Sequence, residues 1–327
     1  MHILVIGGTR FVGRHFVAEA LDRGHEMTLL HRGRSNPDLF PDSEHLLLDR
    51  DGDLDALSGR AFDATVDVCA YLPRQVRHLA EALGGRGGQH LYVSSVSAYA
   101  PANRPGQDES APLHPAPDPP TETIDEETYG PLKAECERVA GQLYGDALTV
   151  VRPSYVIGPH DPTGRFPRWV ERIARGGDVL VPGPPEAPFQ AVDGRDLGAF
   201  MLTLLENGRR GDFHAAAPAP PYGFGDLVAA LVEAIGPDAR PVWVDAAWLT
   251  GRGVDGAALP LWEEGRLDQE LALDPGKALG AGLAPRSLAD TARDTLAWLQ
   301  DGGSSGSDRA LGAEQEAALL EEWHASA

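Results

Sequence analysis

A tyrosine and a lysine stand four residues apart in a stretch with helical patterning, at Tyr129 and Lys133. Residues four apart share one face of a helix, so we expect the two side chains to be neighbours. An ammonium beside a phenol stabilises the phenolate and lowers the pKa of the tyrosine. Such a tyrosine can pass a proton to or from a carbonyl or an alcohol near neutral pH. The spacing is also compatible with an ordinary pair on a surface helix.

A run of serines follows the fifth predicted strand, which covers residues 90–95. The carboxyl end of a parallel strand faces the ligand crevice of an α/β sheet, so a hydroxyl there can hydrogen-bond a reacting oxygen. We expect Ser95 to have this role. Ser94 and Ser97 are as well explained as residues that cap the end of the strand.

The first predicted strand runs directly into a glycine-rich turn over residues 7–13. Glycines there allow a sharp turn and a close approach of backbone N–H groups to a pyrophosphate at the start of the following helix. The middle position of the usual three-glycine pattern is Arg10, and Gly13 allows the helix to pack closely on the sheet. The strand-turn-helix context favours a dinucleotide site over a plain connection. The residues expected to contact the cofactor here are Gly7, Thr9, Arg10, Phe11, Val12 and Gly13.

Basic residues follow the second predicted strand, where an acidic residue would bind a free ribose diol. Arg32 and Arg34 suit a 2′-phosphate instead, with Arg10 as a third partner, so the sequence favours NADP over NAD as cofactor. Solvated surface arginines are the alternative. Asp49, after the third predicted strand, is placed either to meet the adenine or to cap the strand. Tyr71, after the fourth, is placed to face the nicotinamide or the substrate.

Strand and helix patterns alternate through the first half of the chain, which predicts parallel strands joined by right-handed crossovers. The predicted fold class is α/β, a doubly wound parallel sheet of the Rossmann type with a smaller C-terminal substrate-binding part. Predicted strands cover residues 3–6, 27–30, 45–48, 64–69, 90–95, 148–151, 178–181 and 189–192, and predicted helices cover residues 11–23, 76–83, 126–143, 169–174, 196–206, 224–235, 288–299 and 313–323.

The chain is expected to divide into a dinucleotide-binding domain and a smaller substrate-binding part. The first covers residues 1–155, and the chain returns to it at about residues 187–215. The second covers residues 156–186 and 216–327 and ends in a helical tail, for which a solvated helix without function is the favoured interpretation.

A proline-rich segment interrupts the alternating pattern. Residues 101–125 contain seven prolines, which cannot form a regular element. The segment therefore predicts a long surface loop that is mobile without substrate and is a candidate lid over the active site.

The composition excludes several classes of protein. The chain has 327 residues and a mass of 34.8 kDa, with 42% hydrophobic and 24% charged residues, as in a globular protein. No run of about 18 apolar residues could span a bilayer. The net charge of −21 repels nucleic acid and anionic membranes, so neither is an expected partner.

Two cysteines, Cys69 and Cys136, cannot build a disulfide framework, which indicates a cytoplasmic location. No histidine or acidic cluster has metal-ligand spacing, so no metal is expected.

The motifs together resemble the short-chain dehydrogenase/reductase superfamily, in its extended branch of NAD-dependent epimerases and dehydratases. The resemblance covers about residues 1–300 and is carried by residues 7–13, Ser95 four residues before Tyr99, residues 129–133, and Arg152-Pro153 followed by Gly158-Pro159. The glycine turn is most similar to the atypical subgroup of isoflavone-reductase-like and chloroplast stem-loop-binding proteins, in a bacterial branch. The resemblance implies that Ser95, Tyr129 and Lys133 are the catalytic set, that Lys133 also holds the nicotinamide ribose, and that Pro153 contacts the cofactor.

Several positions depart from the pattern of that family. Val96 and Ser97 stand where dehydratases carry an acidic pair, which argues against a 4,6-dehydratase. Ser154 stands where nucleotide-sugar enzymes carry an asparagine, and Phe189-Gln190 contains no arginine. Both departures argue against a UDP- or dTDP-sugar substrate.

We therefore expect an NAD(P)-dependent oxidoreductase that reduces a ketone of a small molecule, or epimerises it through a transient ketone, by hydride transfer with Tyr129 as acid and base. The alternative is a non-catalytic NAD(P)-binding sensor or an RNA-binding relative. The intact serine, tyrosine and lysine argue against a pure sensor, and the net charge argues against RNA. The helices at 73–84 and 126–143 could pair between subunits to form a homodimer, as in resembling proteins.

Overall fold

A computed structural model describes residues 1–101, 106–216, 222–262, 273–306 and 310–326. The strands are β1 (His2–Ile6), β2 (Glu26–His31), β3 (Glu44–Leu47), β4 (Ala64–Asp67), β5 (Gln89–Val93), β6 (Leu148–Pro153), β7 (Tyr155–Ile157), β8 (Gly177–Pro182), β9 (Pro188–Phe189), β10 (Ala191–Asp193), β11 (Gly211–Ala215), β12 (Tyr222–Gly223) and β13 (Ala239–Val244). The helices are α1 (Phe11–Asp22), α2 (Pro73–Leu83), α3 (Tyr129–Tyr144), α4 (Arg165–Ala174), α5 (Gly194–Glu206), α6 (Phe224–Ile235), α7 (Ala246–Thr250), α8 (Gly276–Gly280), α9 (Leu288–Gln300) and α10 (Ala313–Ser326).

A seven-stranded parallel sheet organises the first half of the chain, in the order β11-β6-β5-β4-β1-β2-β3. Alternate residues of a strand point to opposite faces. Ile3 and Val5 therefore pack with α1 and α5, whereas Leu4 and Ile6 pack with α2 on the other face. Because both faces are covered by helices, consecutive residues in the middle of β1, such as Ile3 to Ile6, are apolar on both faces. The predicted doubly wound sheet is confirmed.

The edge strand β11 is missed by pattern analysis. Its sequence, Gly-Asp-Phe-His-Ala, has no apolar run, yet Phe213, His214 and Ala215 are buried. Among the described residues it pairs only with β6, so it forms the edge of the sheet. The predicted strand at 189–192 is two short strands, β9 and β10, separated by Gln190. The Gln190 amide bonds both backbone groups of Leu273, which explains the interruption.

The helix predicted from residue 126 begins at Tyr129. The Asp125 carboxylate accepts the backbone N–H groups of Glu127 and Thr128 at 3.1 and 2.9 Å, which closes a turn ahead of the helix. Asp and Thr side chains commonly hold such turns, so they delay the helix start. Tyr129 is therefore the first residue of α3, with Lys133 one turn later.

A second apolar core lies in the C-terminal half, where α4, α6 and α9 pack around β8 and β13. The expectation of a solvated C-terminal helix is wrong. Leu319 and Leu320 of α10 are buried in this core, and the Glu316 carboxylate binds the Arg172 guanidinium at 2.6 Å and the Leu180 N–H at 3.0 Å. No helix in the described ranges is long and apolar enough to cross a membrane.

The proline-rich segment has no helix in its described part, residues 106–125, and it falls into two portions. Residues 107–114 are tied to the sheet: the His114 N–H donates to the Ala98 carbonyl at 2.8 Å, and the Glu109 carboxylate accepts the His214 N–H at 2.9 Å. The Glu109 backbone carbonyl also accepts a hydrogen bond from Arg152, a buried arginine near the end of β6. Residues 115–120 are mostly exposed.

We expect amide exchange to divide the proline-rich segment at His114. The His114 amide is hydrogen-bonded within the fold, whereas the amides of Ala116 and Asp118 are in an exposed stretch, so His114 should exchange at least about tenfold more slowly. Residue-resolved hydrogen exchange on the ligand-free protein measures this, with the Ala100 amide, bonded to the Pro112 carbonyl, as the protected reference. Equal rates on both sides of His114 would show that the anchoring contacts do not persist.

Candidate active site

The glycine turn brings the first helix into direct contact with the end of β1. Gly7 and Gly8 have φ angles of +111° and +93°, a region that glycine adopts without strain. A Cβ atom on Gly13 would lie 2.6 Å from the Gly8 nitrogen, and one on Gly7 would lie 2.6 Å from the Val68 side chain. The close packing expected of Gly13 is therefore present, and no larger residue fits.

The N-terminus of α1 offers a site for an anion. Arg10 is its N-cap and makes no side-chain capping bond, and the first turn, which includes Phe11 and Val12, holds no acidic residue. The first N–H groups of a helix have no partner within the helix, and the helix dipole adds positive charge. A pyrophosphate fits this cradle of open N–H groups and glycines.

The basic turn after β2 lies against the glycine turn, because the Asn36 amide donates to the Thr9 carbonyl at 2.8 Å. Arg32 and Arg34 are exposed, and neither forms an ion pair within the described ranges. His31 is buried: it accepts the Gly33 N–H at 3.1 Å and its other ring nitrogen lies 2.8 Å from His45, so it is not available to a ligand.

Asp49 is exposed beyond β3, and its carboxylate accepts the Asp51 N–H at 3.1 Å. The Asp49 carboxylate therefore stabilises a turn, and its second oxygen has no hydrogen-bond partner among the described residues. The neighbouring residue, Arg50, is one that sequence reasoning missed. Its guanidinium forms two hydrogen bonds to the Asp67 carboxylate, at 2.7 and 2.8 Å.

The Arg50–Asp67 pair fixes the end of β4. Asp67 is 1% exposed. Burial alone would raise the pKa of the Asp67 carboxyl, but the charge of Arg50 lowers it below its ordinary value. Removing one partner from such a buried pair costs about 3–5 kcal/mol, because it leaves the other charge uncompensated. The signal in the sequence was a lone aspartate between Val66 and Val68, inside an otherwise apolar strand.

Lys133 is buried, with 3% of its surface exposed, at the carboxyl ends of β4 and β5. Its ammonium donates to the Ala70 carbonyl at 3.0 Å and to the Val93 carbonyl at 2.8 Å. It lies 4.6 Å from the ring centre of Tyr92 and 5.2 Å from that of Tyr71. Burial lowers the pKa of Lys133 to about 8. An ammonium has three donors, so one remains for a ligand.

Tyr129 and Ser95 come together because α3 begins against the turn after β5. The backbone at Gly130 lies so close to the Ser97 carbonyl that no side chain fits between them. The Ser95 hydroxyl acts on the Tyr129 phenol by lowering its pKa, against the larger effect of burial. It also accepts the Ser97 N–H at 3.1 Å, so Ser95 caps the turn. Ser94 does not cap it: its buried hydroxyl has no partner within the described ranges.

The pKa of Tyr129 differs from the expectation that Lys133 lowers it. Burial raises the pKa of the Tyr129 phenol above its ordinary value, and Ser95 and Arg165 act in the opposite direction without cancelling the effect. The Lys133 ammonium is bound to backbone carbonyls instead of the phenol. Without cofactor, Tyr129 is therefore a protonated phenol at neutral pH.

The remaining predicted residues border this site. Tyr71 is 40% exposed, with its ring centre 6.3 Å from that of Tyr129. Pro153 is buried at the end of β6, and the buried hydroxyl of the next residue, Ser154, has no partner within the described ranges. Unpartnered buried hydroxyls at the carboxyl edge of the sheet suit a polar ligand there. In the described part of the chain, no three His, Cys, Asp or Glu side chains are grouped to hold a metal ion.

Comparison with known proteins matches this site to a family. The model of the NAD dependent epimerase/dehydratase family matches residues 3–87 and 64–216. These ranges include the glycine turn, Ser95, Tyr129 and Lys133.

Two relatives and one solved structure illustrate the range of similar proteins. The chain is 27% identical over 224 residues to the chloroplast stem-loop binding protein of 41 kDa b of Arabidopsis thaliana, covering 63% of this chain and 55% of that protein. It is 26% identical over 347 residues to a protein named "Putative dihydroflavonol 4-reductase" of Synechocystis sp., covering 91% of this chain and 94% of that protein. The UDP-glucuronic acid 4-epimerase from Bacillus cereus, solved in complex with NAD, has a TM-score of 0.67 at 16% identity, covering 92% of this chain and 99% of that chain. At that identity the structural likeness shows the fold alone.

Proposed function

The chain belongs to the NAD-dependent epimerase/dehydratase family, and on that premise we propose that it interconverts a ketone and a secondary alcohol of a small molecule with a nicotinamide cofactor. The observation that carries this proposal is the grouping of Ser95, Tyr129 and Lys133 at the carboxyl ends of β4 and β5. The nicotinamide supplies or accepts the hydride when bound. The rest of the chemistry is a proton transfer, for which this grouping provides the donor.

Each residue of the group has a separate task in the proposed reaction. Tyr129 gives its phenolic proton to the carbonyl oxygen as the alcohol forms, and the Ser95 hydroxyl orients that oxygen. Lys133 binds a hydroxyl of the cofactor with its remaining N–H donor. Because burial raises the pKa of Tyr129, the phenol keeps its proton at neutral pH, which is the form that the reductive direction needs at the start.

We propose NADP as the preferred cofactor. A 2′-phosphate adds roughly two negative charges. A protein with a net charge of −21 repels such a group unless local cations compensate. Arg32 and Arg34 are exposed and form no ion pair within the described ranges. They lie next to the glycine turn, and the first turn of α1 that follows it holds no acidic residue.

An RNA-binding role is the second candidate, because one relative is named for stem-loop binding. The alignment covers only part of that protein, and the net charge of −21 opposes binding to a polyphosphate. A gel-shift assay with stem-loop RNA at physiological salt separates the two candidates. Specific retardation of the RNA would favour the second.

Replacing Tyr129 by phenylalanine should keep the fold and NADPH affinity while lowering turnover at least about a hundredfold, since the general acid is lost. The measurement is NADPH oxidation with a panel of ketones. Tyr144→Phe is a matched control, because it removes a buried hydroxyl without a described partner from the other end of the same helix. Turnover of Tyr129→Phe within a few-fold of wild type would exclude the proposed role.

Replacing Arg32 by aspartate should invert the cofactor preference, because the change removes a phosphate partner and adds an acceptor for a ribose diol. The readout is the ratio of the dissociation constants of NADPH and NADH at fixed ionic strength. Arg175→Asp, an exposed site at the end of α4, makes the same change in charge and should leave the ratio unaltered. Tighter binding of NADH by wild type, or a ratio unmoved by Arg32→Asp, would show that these arginines do not select the cofactor.

A further inference from the structure

One arginine near the candidate active site, Arg165, has no ion-pair partner among the described residues. Helix α4 carries Arg165, Arg168 and Arg172. Arg168 pairs with Glu171 at 3.2 Å and Arg172 with Glu316 at 2.6 Å. Arg165 forms no ion pair with any described residue, although the chain has 49 acidic residues against 28 basic ones. A half-buried guanidinium without an ion-pair partner in the described part of the chain is available to a ligand of opposite charge.

The guanidinium of Arg165 is held in a defined position. Its Nε atom donates to the Thr163 hydroxyl at 3.0 Å, and its carbon lies 5.1 Å from the ring centre of Tyr155. These contacts occupy one N–H and one face of the planar group. The two terminal nitrogens of the guanidinium have no described partner. Their planar arrangement suits bidentate binding of a carboxylate or a phosphate.

The position of Arg165 relates it to the reacting end of the site. Its charge acts on the Tyr129 phenol and is among the influences that lower the pKa of that group. The segment that leads to α4 continues from β6, which ends at the same edge of the sheet as β5. The Tyr155 ring, against which the Arg165 guanidinium lies, comes two residues after the end of β6, so Arg165 lies at the carboxyl edge of the sheet.

Asp161 precedes Arg165 by four residues, but the two side chains form no ion pair. One Asp161 oxygen accepts the Thr163 N–H at 2.8 Å and the Thr163 hydroxyl at 2.6 Å. The other has no described partner, and no Asp161 oxygen lies within 4.0 Å of Arg165. Burial raises the pKa of the Asp161 carboxyl, and the charge of Arg165 acts on that pKa in the opposite direction.

We propose that the substrate carries an anionic group, a carboxylate or a phosphate ester, that binds to the terminal nitrogens of Arg165 while its carbonyl faces Tyr129 and Ser95. This inference rests on the proposed function and narrows its substrate class. Arg165 selects the anionic carbonyl compound over its neutral counterpart, and the stack on Tyr155 pre-organises the guanidinium for that contact.

Matched probes test the selection. The carboxylate pair is 4-oxopentanoate and its methyl ester, and the phosphate pair is hydroxyacetone phosphate and hydroxyacetone. Binding of each probe to the NADP-loaded protein is measured by calorimetry, and NADPH oxidation is measured separately. We expect at least one anionic probe to bind at least about tenfold more tightly than its neutral partner, as for a charge-assisted hydrogen bond. The pair that shows the preference identifies the anion.

Arg165→Met should reduce the preference for the anionic probe to less than about twofold. Arg165→Lys should keep part of the preference, because lysine supplies the positive charge without the paired donors of a guanidinium. Arg168→Met is the control on the same helix and should keep the full preference. Thermal unfolding of the variants shows whether the fold is retained, and Arg165→Lys remains informative if the methionine variant does not fold.

The outcomes separate this inference from the proposed function. A charge preference that depends on Arg165 without NADPH oxidation supports the anion site and contradicts the oxidoreductase proposal. Oxidation of NADPH by neutral and anionic probes alike supports the oxidoreductase and overturns the anion site. A preference that survives Arg165→Met, or no binding of either anionic probe up to its solubility limit, also overturns it.

Discussion

The candidate site depends on the burial of a single ammonium group. Lys133 lies where α3 crosses the carboxyl ends of β4 and β5, and it is bonded to the carbonyl of Val93, the last residue of β5, and to that of Ala70, just past β4. A charged group without such partners would be very costly at 3% exposure. The two bonds therefore fix α3 relative to the sheet. Because Tyr129 precedes Lys133 by one helical turn, and Ser95 follows β5, the same contact determines where the phenol and the hydroxyl meet.

Other close contacts keep the strand ends in place around this lysine. The Arg50–Asp67 pair holds the end of β4, and the glycines of the first turn bring α1 against the sheet beside it. On the far side, Arg152 binds Glu137 of α3 and the Tyr99 hydroxyl, and so connects the helix to β6. These are buried polar contacts between elements distant in sequence. They position the chemistry at one edge of a sheet whose strands are otherwise held by apolar packing.

The sequence predicts the sheet well because a parallel strand covered on both faces must be apolar, and such runs are visible at β1, β2, β5 and β6. Tyr129 and Lys133 are visible because their spacing reflects a local helix. What pattern analysis misses depends on distant partners. The sequence of β11 is polar, so its burial is not visible in the pattern. Arg50 binds Asp67, seventeen residues away in sequence. The C-terminal helix is held against the core by the ion pair between Glu316 and Arg172. The pKa of Tyr129 also depends on burial, which spacing does not reveal.

The buried ammonium can be measured directly, because Lys133 and Lys277 are the only lysines in the chain. Protein labelled with carbon-13 and nitrogen-15 in lysine gives two side-chain signals, and Lys277→Arg assigns them. In the ligand-free protein the Lys133 signal should titrate with a pKa of about 8, and it should shift when NADP is added while that of Lys277 stays in place. Titration of Lys133 at the ordinary value of about 10.4, with no response to NADP, would contradict a buried lysine that organises the site.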